Sequence, residues 1–115
     1  MDTQAIETAF EELALQLKET LGRQPDLQSV LFLVGVQELG QLNRAFSKEE
    51  KQDLMHVGVC QLLTNAGYFT RTSRDADGWP HYEAVKNMPI DTKNLAAQET
   101  LLKEQAIQYF NSTPS

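Results

Sequence analysis

Apolar residues in the first part of the chain return at helical spacing. Ile6, Phe10, Leu13, Leu17 and Leu21 fall on one stripe with Ala9 and Ala14 beside them, while Glu7, Glu11, Glu12, Lys18 and Glu19 fill the other positions. This pattern predicts an amphipathic helix over residues 3–21, ended by Gly22. Pro25-Asp26 then signals a new start, with Asp26 as N-cap of a second helix reaching Leu39 before Gly40. Its middle, Val30 to Val36, is apolar on every side and would also serve as a buried strand. The 13 or so residues between cap and glycine favour a helix.

Ser47 and Glu50 have the spacing of a capping box, in which each side chain satisfies a free backbone N–H of the first turn. They predict a third helix from Ser47 to Gly67, with Met55, Val59, Leu62, Leu63 and Ala66 as its inner stripe. Leu54 and Val57 lie off that stripe, so a second surface is expected to cover them. Gly35 and Gly58 sit inside the two most apolar helices. Glycine weakens a helix by about 0.5–1 kcal/mol relative to alanine, so a close crossing of the two backbones is the expected reason for both.

After Gly67 the period changes. Residues 68–73 and 79–85 are rich in aromatic and β-branched residues, and Arg74-Asp75-Ala76-Asp77-Gly78 between them is turn chemistry. A β-hairpin is predicted, with Pro80 unable to donate to the ladder and an open edge on its strand. Asp91 begins a last helix to about Phe110, with Ile90 and Leu95 placed as a hydrophobic staple and Leu95, Leu102, Ala106, Tyr109 and Phe110 as its inner stripe. The expected fold is mainly α (α+β): four helices with one two-stranded β-hairpin between helices 3 and 4, in the order α-α-α-β-β-α. A single domain over residues 1–115 is expected, with 111–115 a disordered tail.

Ten Lys and Arg against sixteen Asp and Glu give a formal charge of −6, and 41% hydrophobic with 23% charged residues is a globular composition. That balance disfavours phosphate backbones and anionic membranes as partners. Cys60 is the only cysteine, so neither an intramolecular disulfide nor a Cys-rich zinc site is expected. No stretch has the length of a membrane span, and the acidic start does not resemble a signal peptide, so a cytoplasmic protein is expected.

Asp53, His56 and Cys60 differ by three and four positions and are neighbours on the third helix. An imidazole beside a thiol could lower its pKa, and a carboxylate could orient the imidazole. Against this, parallel helical side chains rarely converge on one substrate atom, and no oxyanion hole or glycine-rich nucleophile turn is visible. A structural Cys60 with His56 at the border of the core is the simpler expectation. A metal site built on His56, Cys60 and His81 matches no established ligand spacing. Asp75 and Asp77 before Gly78 resemble the start of a calcium loop whose downstream ligands are absent. No metal and no cofactor are expected.

Three helices, a hairpin and a further helix resemble the winged-helix architecture over residues 26–85. Asn65-Ala66-Gly67-Tyr68-Phe69 lies at the helix-to-wing junction, and Arg71 and Arg74 where a wing touches phosphate. The charges depart from that pattern. Lys48 and Lys51 against Glu49, Glu50 and Asp53 give the third helix −1, and Arg71 and Arg74 against Asp75, Asp77 and Glu83 give the hairpin −1. Nucleic acid is therefore not the expected partner. The stretches Leu31–Gly40, Phe46–His56 and Asp77–Glu83 (LFLVGVQELG, FSKEEKQDLMH, DGWPHYE) also resemble a small family of bacterial cytoplasmic proteins, a likeness that implies no activity.

The functional expectation is a non-enzymatic protein that works through another protein or a second copy of itself, as in a homodimer. The alternatives are a winged-helix-like nucleic-acid protein or a small-ligand or thiol site around His56 and Cys60. Trp79, Tyr82, Tyr68, Phe69 and Tyr109 supply more large rings than a two-stranded cover needs, and such rings anchor interfaces. The expected contact surface is Trp79, Tyr82, Tyr68 and Arg71 on the hairpin with Tyr109 on the last helix. Trp79 and Tyr82 are expected on opposite faces of one strand, so that one ring faces the core and the other a partner.

Overall fold

The computed structural model describes residues 2–41, 44–85 and 95–112. Helices α1 (Thr3–Leu21), α2 (Leu27–Leu39), α3 (Lys48–Asn65) and α4 (Leu95–Ser112) enclose in sequence the strands β1 (Phe69–Arg74) and β2 (Pro80–Ala84), which lie between α3 and α4. The fold is mainly α with one antiparallel hairpin. Its contacts divide into two compact units, one of residues 1–30 and 88–115, the other of residues 31–87. The first turn of α2 belongs to the first unit and the rest of that helix to the second.

In the first unit, Asp2 caps α1 by accepting a hydrogen bond from the Ala5 N–H at 2.7 Å. Ile6, Phe10, Leu13 and Ala14 are buried, whereas Leu21, at the end of the expected stripe, is exposed. Gln105, Ala106 and Ile107 are buried on α4. Three consecutive buried residues cover more than half of a helix circumference, so α4 buries a wider arc than a single stripe. The Lys103 Nζ sits 2.9 and 3.1 Å from the two Glu7 carboxylate oxygens and 5.3 Å from the Phe10 ring centre, tying α4 to α1. Asp26 caps α2 through the Ser29 N–H at 2.9 Å. That donation, first among the causes, holds the Asp26 carboxyl below its usual range. The expected start at Asp91 and the Ile90–Leu95 staple lie outside the described side chains. At its other end α4 continues through Asn111 and Ser112, past the expected stop at Phe110.

The second unit is built on α2 and α3. Residues 30–36 are helical, as length favoured over the strand alternative. The capping box of α3 is complete: Ser47 Oγ accepts from Glu50 N–H, and Glu50 Oε1 from Ser47 N–H. α3 closes in a Schellman arrangement, with Tyr68 N–H donating to Leu63 O at 2.9 Å and Gly67 N–H to Thr64 O at 3.0 Å. The φ of +94° at Gly67 that this requires is strained for any residue with a Cβ.

Where α2 and α3 cross, Gly35 faces the backbone of Leu54 and Gly58 that of Leu31. A Cβ on Gly35 would overlap the Leu54 carbonyl oxygen and lie 3.1 Å from its Cα; one on Gly58 would overlap the Leu31 carbonyl oxygen and lie 3.2 Å from its Cα. The relation is reciprocal: each glycine receives the residue four positions before the other. As residue number rises along α2 it falls along α3, so the helices are antiparallel there. The hydrogen that replaces each side chain points at a carbonyl oxygen, the geometry of a weak Cα–H···O contact.

This crossing sets which side of α3 is innermost. Leu54, Val57, Gly58, Cys60, Leu62 and Leu63 are buried, whereas Met55 and Val59 of the expected stripe are only partly so. The surface at Leu54 and Val57, expected to be secondary, is a principal one because α2 lies directly on it.

The hairpin covers the remaining apolar side. Phe69 pairs with Ala84, Arg71 with Tyr82, Ser73 with His81 and Arg74 with Pro80, with a bulge at Thr72 that adds local twist. Asp75 N–H donates to Trp79 O at 2.9 Å and Gly78 N–H to Asp75 O at 3.0 Å, a three-residue loop with Gly78 at φ +89°. Because Asp75 and Trp79 form a hydrogen-bonded pair, the next pair, Arg74–Pro80, is a non-bonded one. The missing N–H of Pro80 therefore costs the ladder nothing.

Candidate functional site

The expected reactive group does not assemble. Cys60 is buried, and desolvation pushes its thiol up from the ordinary value, away from the thiolate that nucleophilic chemistry requires. Asp53 and His56 are exposed, one helical step apart. Among the described residues no hydrogen bond joins either to Cys60, and no three His, Cys, Asp or Glu side chains are grouped so as to hold a metal ion.

His56 and Asp53 instead line an open cleft of about 470 Å³ with Glu50 and Val57 of α3 and Asp75, Asp77, Trp79, Pro80 and His81 of the hairpin tip. Each wall has a local cause. Glu50 is fixed by the capping box and by an ion pair with Arg44. The Ser47 N–H is the chief reason its carboxyl titrates below the usual range. Asp75 organises the opposite wall: its Oδ1 accepts from Asp77 N–H and Trp79 N–H, both at 3.0 Å, and its Oδ2 lies 3.1 Å from His81 Nε2. The Trp79 N–H, first among these, holds the Asp75 carboxyl down.

Trp79 is half-buried: it packs against the cluster of Val36, Leu39 and Leu54 and also lines the cleft. Phe32 and Phe46 pack on the same cluster, edge to face at 6.1 Å. Of the four carboxylates, Glu50 carries an ion pair with Arg44 and Asp75 a contact with the His81 imidazole; among the described residues no salt bridge involves Asp53 or Asp77.

Of the remaining expected contact residues, Arg71 and Tyr82 serve to fasten the hairpin. Arg71 Nη1 donates to Glu38 Oε1 at 2.9 Å. Arg74 reaches Glu38 O in the last turn of α2 at 2.9 Å and Gly78 O at 2.7 Å, placing a cation at the negative end of that helix. The two arginines of the expected wing are thus spent on α2. Tyr82 donates to Gln61 Oε1 of α3 at 2.8 Å, and burial pushes its hydroxyl up to about 12. Pro80 and Tyr82 share the inward face of β2. Trp79, one residue before the strand, turns its ring onto the same helices, so the two rings are not divided between core and solvent as their spacing suggested. Tyr68 is half-buried beside the Schellman turn. Tyr109 lies on α4 in the other unit, edge to face with Phe110 at 5.1 Å.

A second cleft, of about 440 Å³, lies within the first unit and is lined by Phe10, Asp26, Leu27, Gln28, Glu99 and Lys103. Among the described residues its lining includes no cysteine, hydroxyl or imidazole side chain.

Sequence reasoning singled out His56, Asp53, Trp79 and His81 but gave no signal that Glu50, Val57, Asp75 and Asp77 would share a cleft with them. Residues 50–57 and 75–81 meet only through the packing of the hairpin on α3. Comparison with protein-family models, with characterised proteins and with solved structures finds no match.

Proposed function

We propose that this chain is a non-enzymatic interaction protein whose contact face is the cleft between α3 and the hairpin tip, occupied by another protein or by a second copy of the chain. One observation carries this reading. Trp79 is tethered through its backbone N–H to Asp75 and packs on the Val36–Leu39–Leu54 cluster, yet it is only half-buried and lines an open cleft. A large aromatic fixed before binding loses little freedom on contact, which is how interface anchors work. The surrounding carboxylates form the polar rim that such anchors have. The buried, proton-retaining Cys60 offers no competing nucleophile at this face.

The test uses the exposed rim so that folding is left alone. Asp53→Lys combined with Asp77→Lys should abolish self-association or retention of a partner, with the thermal midpoint changed by no more than a few degrees. Surface substitutions of this kind usually alter stability by about 0.5 kcal/mol or less. If the variant keeps every association of the wild type, the contact face lies elsewhere. If the wild type neither self-associates at high concentration nor retains a protein, the interaction reading is wrong.

A further inference from the structure

We infer that Asp77–Gly78, at the tip of the hairpin, is a site of spontaneous backbone isomerisation that the folded turn holds in check and whose modification would unseat Trp79. Asp77 is exposed, and the residue after it has no side chain to hinder approach to its nitrogen. The chemistry needs only water. The Gly78 nitrogen attacks Asp77 Cγ, forming a C–N bond and expelling the carboxyl hydroxyl with the amide proton as water. The resulting five-membered succinimide is hydrolysed at either carbonyl. Opening at Cγ restores aspartate; opening at the backbone carbonyl leaves an isoaspartyl link that runs through the side chain and adds one carbon to the main chain.

Three contacts of the fold oppose the first step. Gly78 N–H donates to Asp75 O at 3.0 Å, which ties the attacking nitrogen into the turn. Gln41 Nε2 donates to Asp77 O at 3.2 Å, and Asp77 N–H donates to Asp75 Oδ1 at 3.0 Å, so the backbone on both sides of Asp77 is pinned. Attack requires the tip to open, and its rate is set by how seldom that happens. The consequence follows from the same geometry. An extra backbone carbon after Asp77 cannot keep both Gly78 N–H on Asp75 O and Trp79 N–H on Asp75 Oδ1, so the tryptophan loses its tether. This inference concerns the turn and stands whether or not the cleft binds a partner.

The whole chain is incubated at 37 °C and neutral pH beside a synthetic peptide of residues 73–81, and isoaspartate at position 77 is followed by mass spectrometry of a proteolytic digest. The peptide should accumulate it about tenfold or more faster than the folded chain. Gln41→Ala and Asp75→Ala should each bring the chain closer to the peptide, and Asp77→Glu should abolish the product. The isoaspartyl fraction of the wild type, separated by charge-independent chromatography, should show red-shifted emission from Trp79, the one tryptophan. Equal rates in chain and peptide would mean that the turn gives no protection. Failure of Gln41→Ala to accelerate the reaction, where Asp75→Ala does not fold, would remove the pinning contacts from the explanation. No isoaspartate in either sample, or unchanged Trp79 emission in the modified fraction, would overturn the inference.

Discussion

Cys60 and Tyr82 show how burial alone assigns a role. The Cys60 thiol sits in the interior with its proton retained, so labelling by a thiol reagent in the native protein at neutral pH should be slow, and denaturant should make it fast. Cys60→Ala should cost about 1 kcal/mol, the scale of removing one buried heavy atom. Rapid native labelling would mean that the helix exposes this position. Tyr82 is neutral in the fold well above the ordinary tyrosine range. Its folded pKa, about 12, lies above the unfolded value near 10, so its contribution is fully present below pH 10 and is lost as pH rises from 10 through 12. Tyrosinate absorbance should therefore show one late step, and Tyr82→Phe should remove it. Asp75 behaves in the opposite sense. Its folded pKa is depressed, so its contribution is present above the ordinary carboxylate range and is lost as pH falls through the lowered value. Acidification should shift Trp79 emission before the helices melt, and Asp75→Asn should blunt that shift. Coincident loss of helical and fluorescence signals, unchanged by the substitution, would show that the turn has no titration of its own.

Among the elements, the crossing of α2 and α3 is the most constrained. Alanine in place of glycine ordinarily strengthens a helix by about 1 kcal/mol. At Gly35 or Gly58 the added carbon meets backbone, which cannot swing aside as a flexible side chain would. Either substitution should therefore destabilise by about 1–3 kcal/mol in a chemical denaturation. The double variant should cost less than the sum, because helices pushed apart by the first methyl already leave room for the second. Strict additivity, or stabilisation by either alanine, would place the glycines away from the contact.

The start of α2 and both ends of α3 were legible because they rest on local chemistry: Asp26, the Ser47–Glu50 box and Gly67 act on backbone groups within a turn of themselves. The inner face of α3 was less legible. The two glycines inside apolar helices did point to the α2–α3 crossing, but the stripe drawn through Met55 and Val59 ranked the Leu54 side as secondary when α2 makes it a principal one. Counting charges likewise could not show that Arg71 and Arg74 are taken up by Glu38, since the acceptor lies more than thirty residues away.

Across the whole molecule, no helix among the described residues is long and apolar enough to cross a membrane. The chain carries a formal charge of −6, and among the described residues no three His, Cys, Asp or Glu side chains are grouped so as to hold a metal ion. The hairpin is anchored by Trp79, Pro80, Tyr82 and both arginines, so the tip that forms one wall of the cleft is set before any partner arrives. Such an arrangement favours binding with little backbone rearrangement. It was the least legible feature of the sequence, because it joins α3 to a turn some twenty residues later through tertiary packing alone. The most direct test is amide hydrogen exchange of the wild-type chain, free at low concentration and again in its associated state, whether with a partner or with itself. Added protection should concentrate in residues 50–57 and 75–81, with exchange in the first unit unchanged. Protection confined to α1 or α4, or no added protection at the cleft in a stable complex, would contradict a contact face built around Trp79.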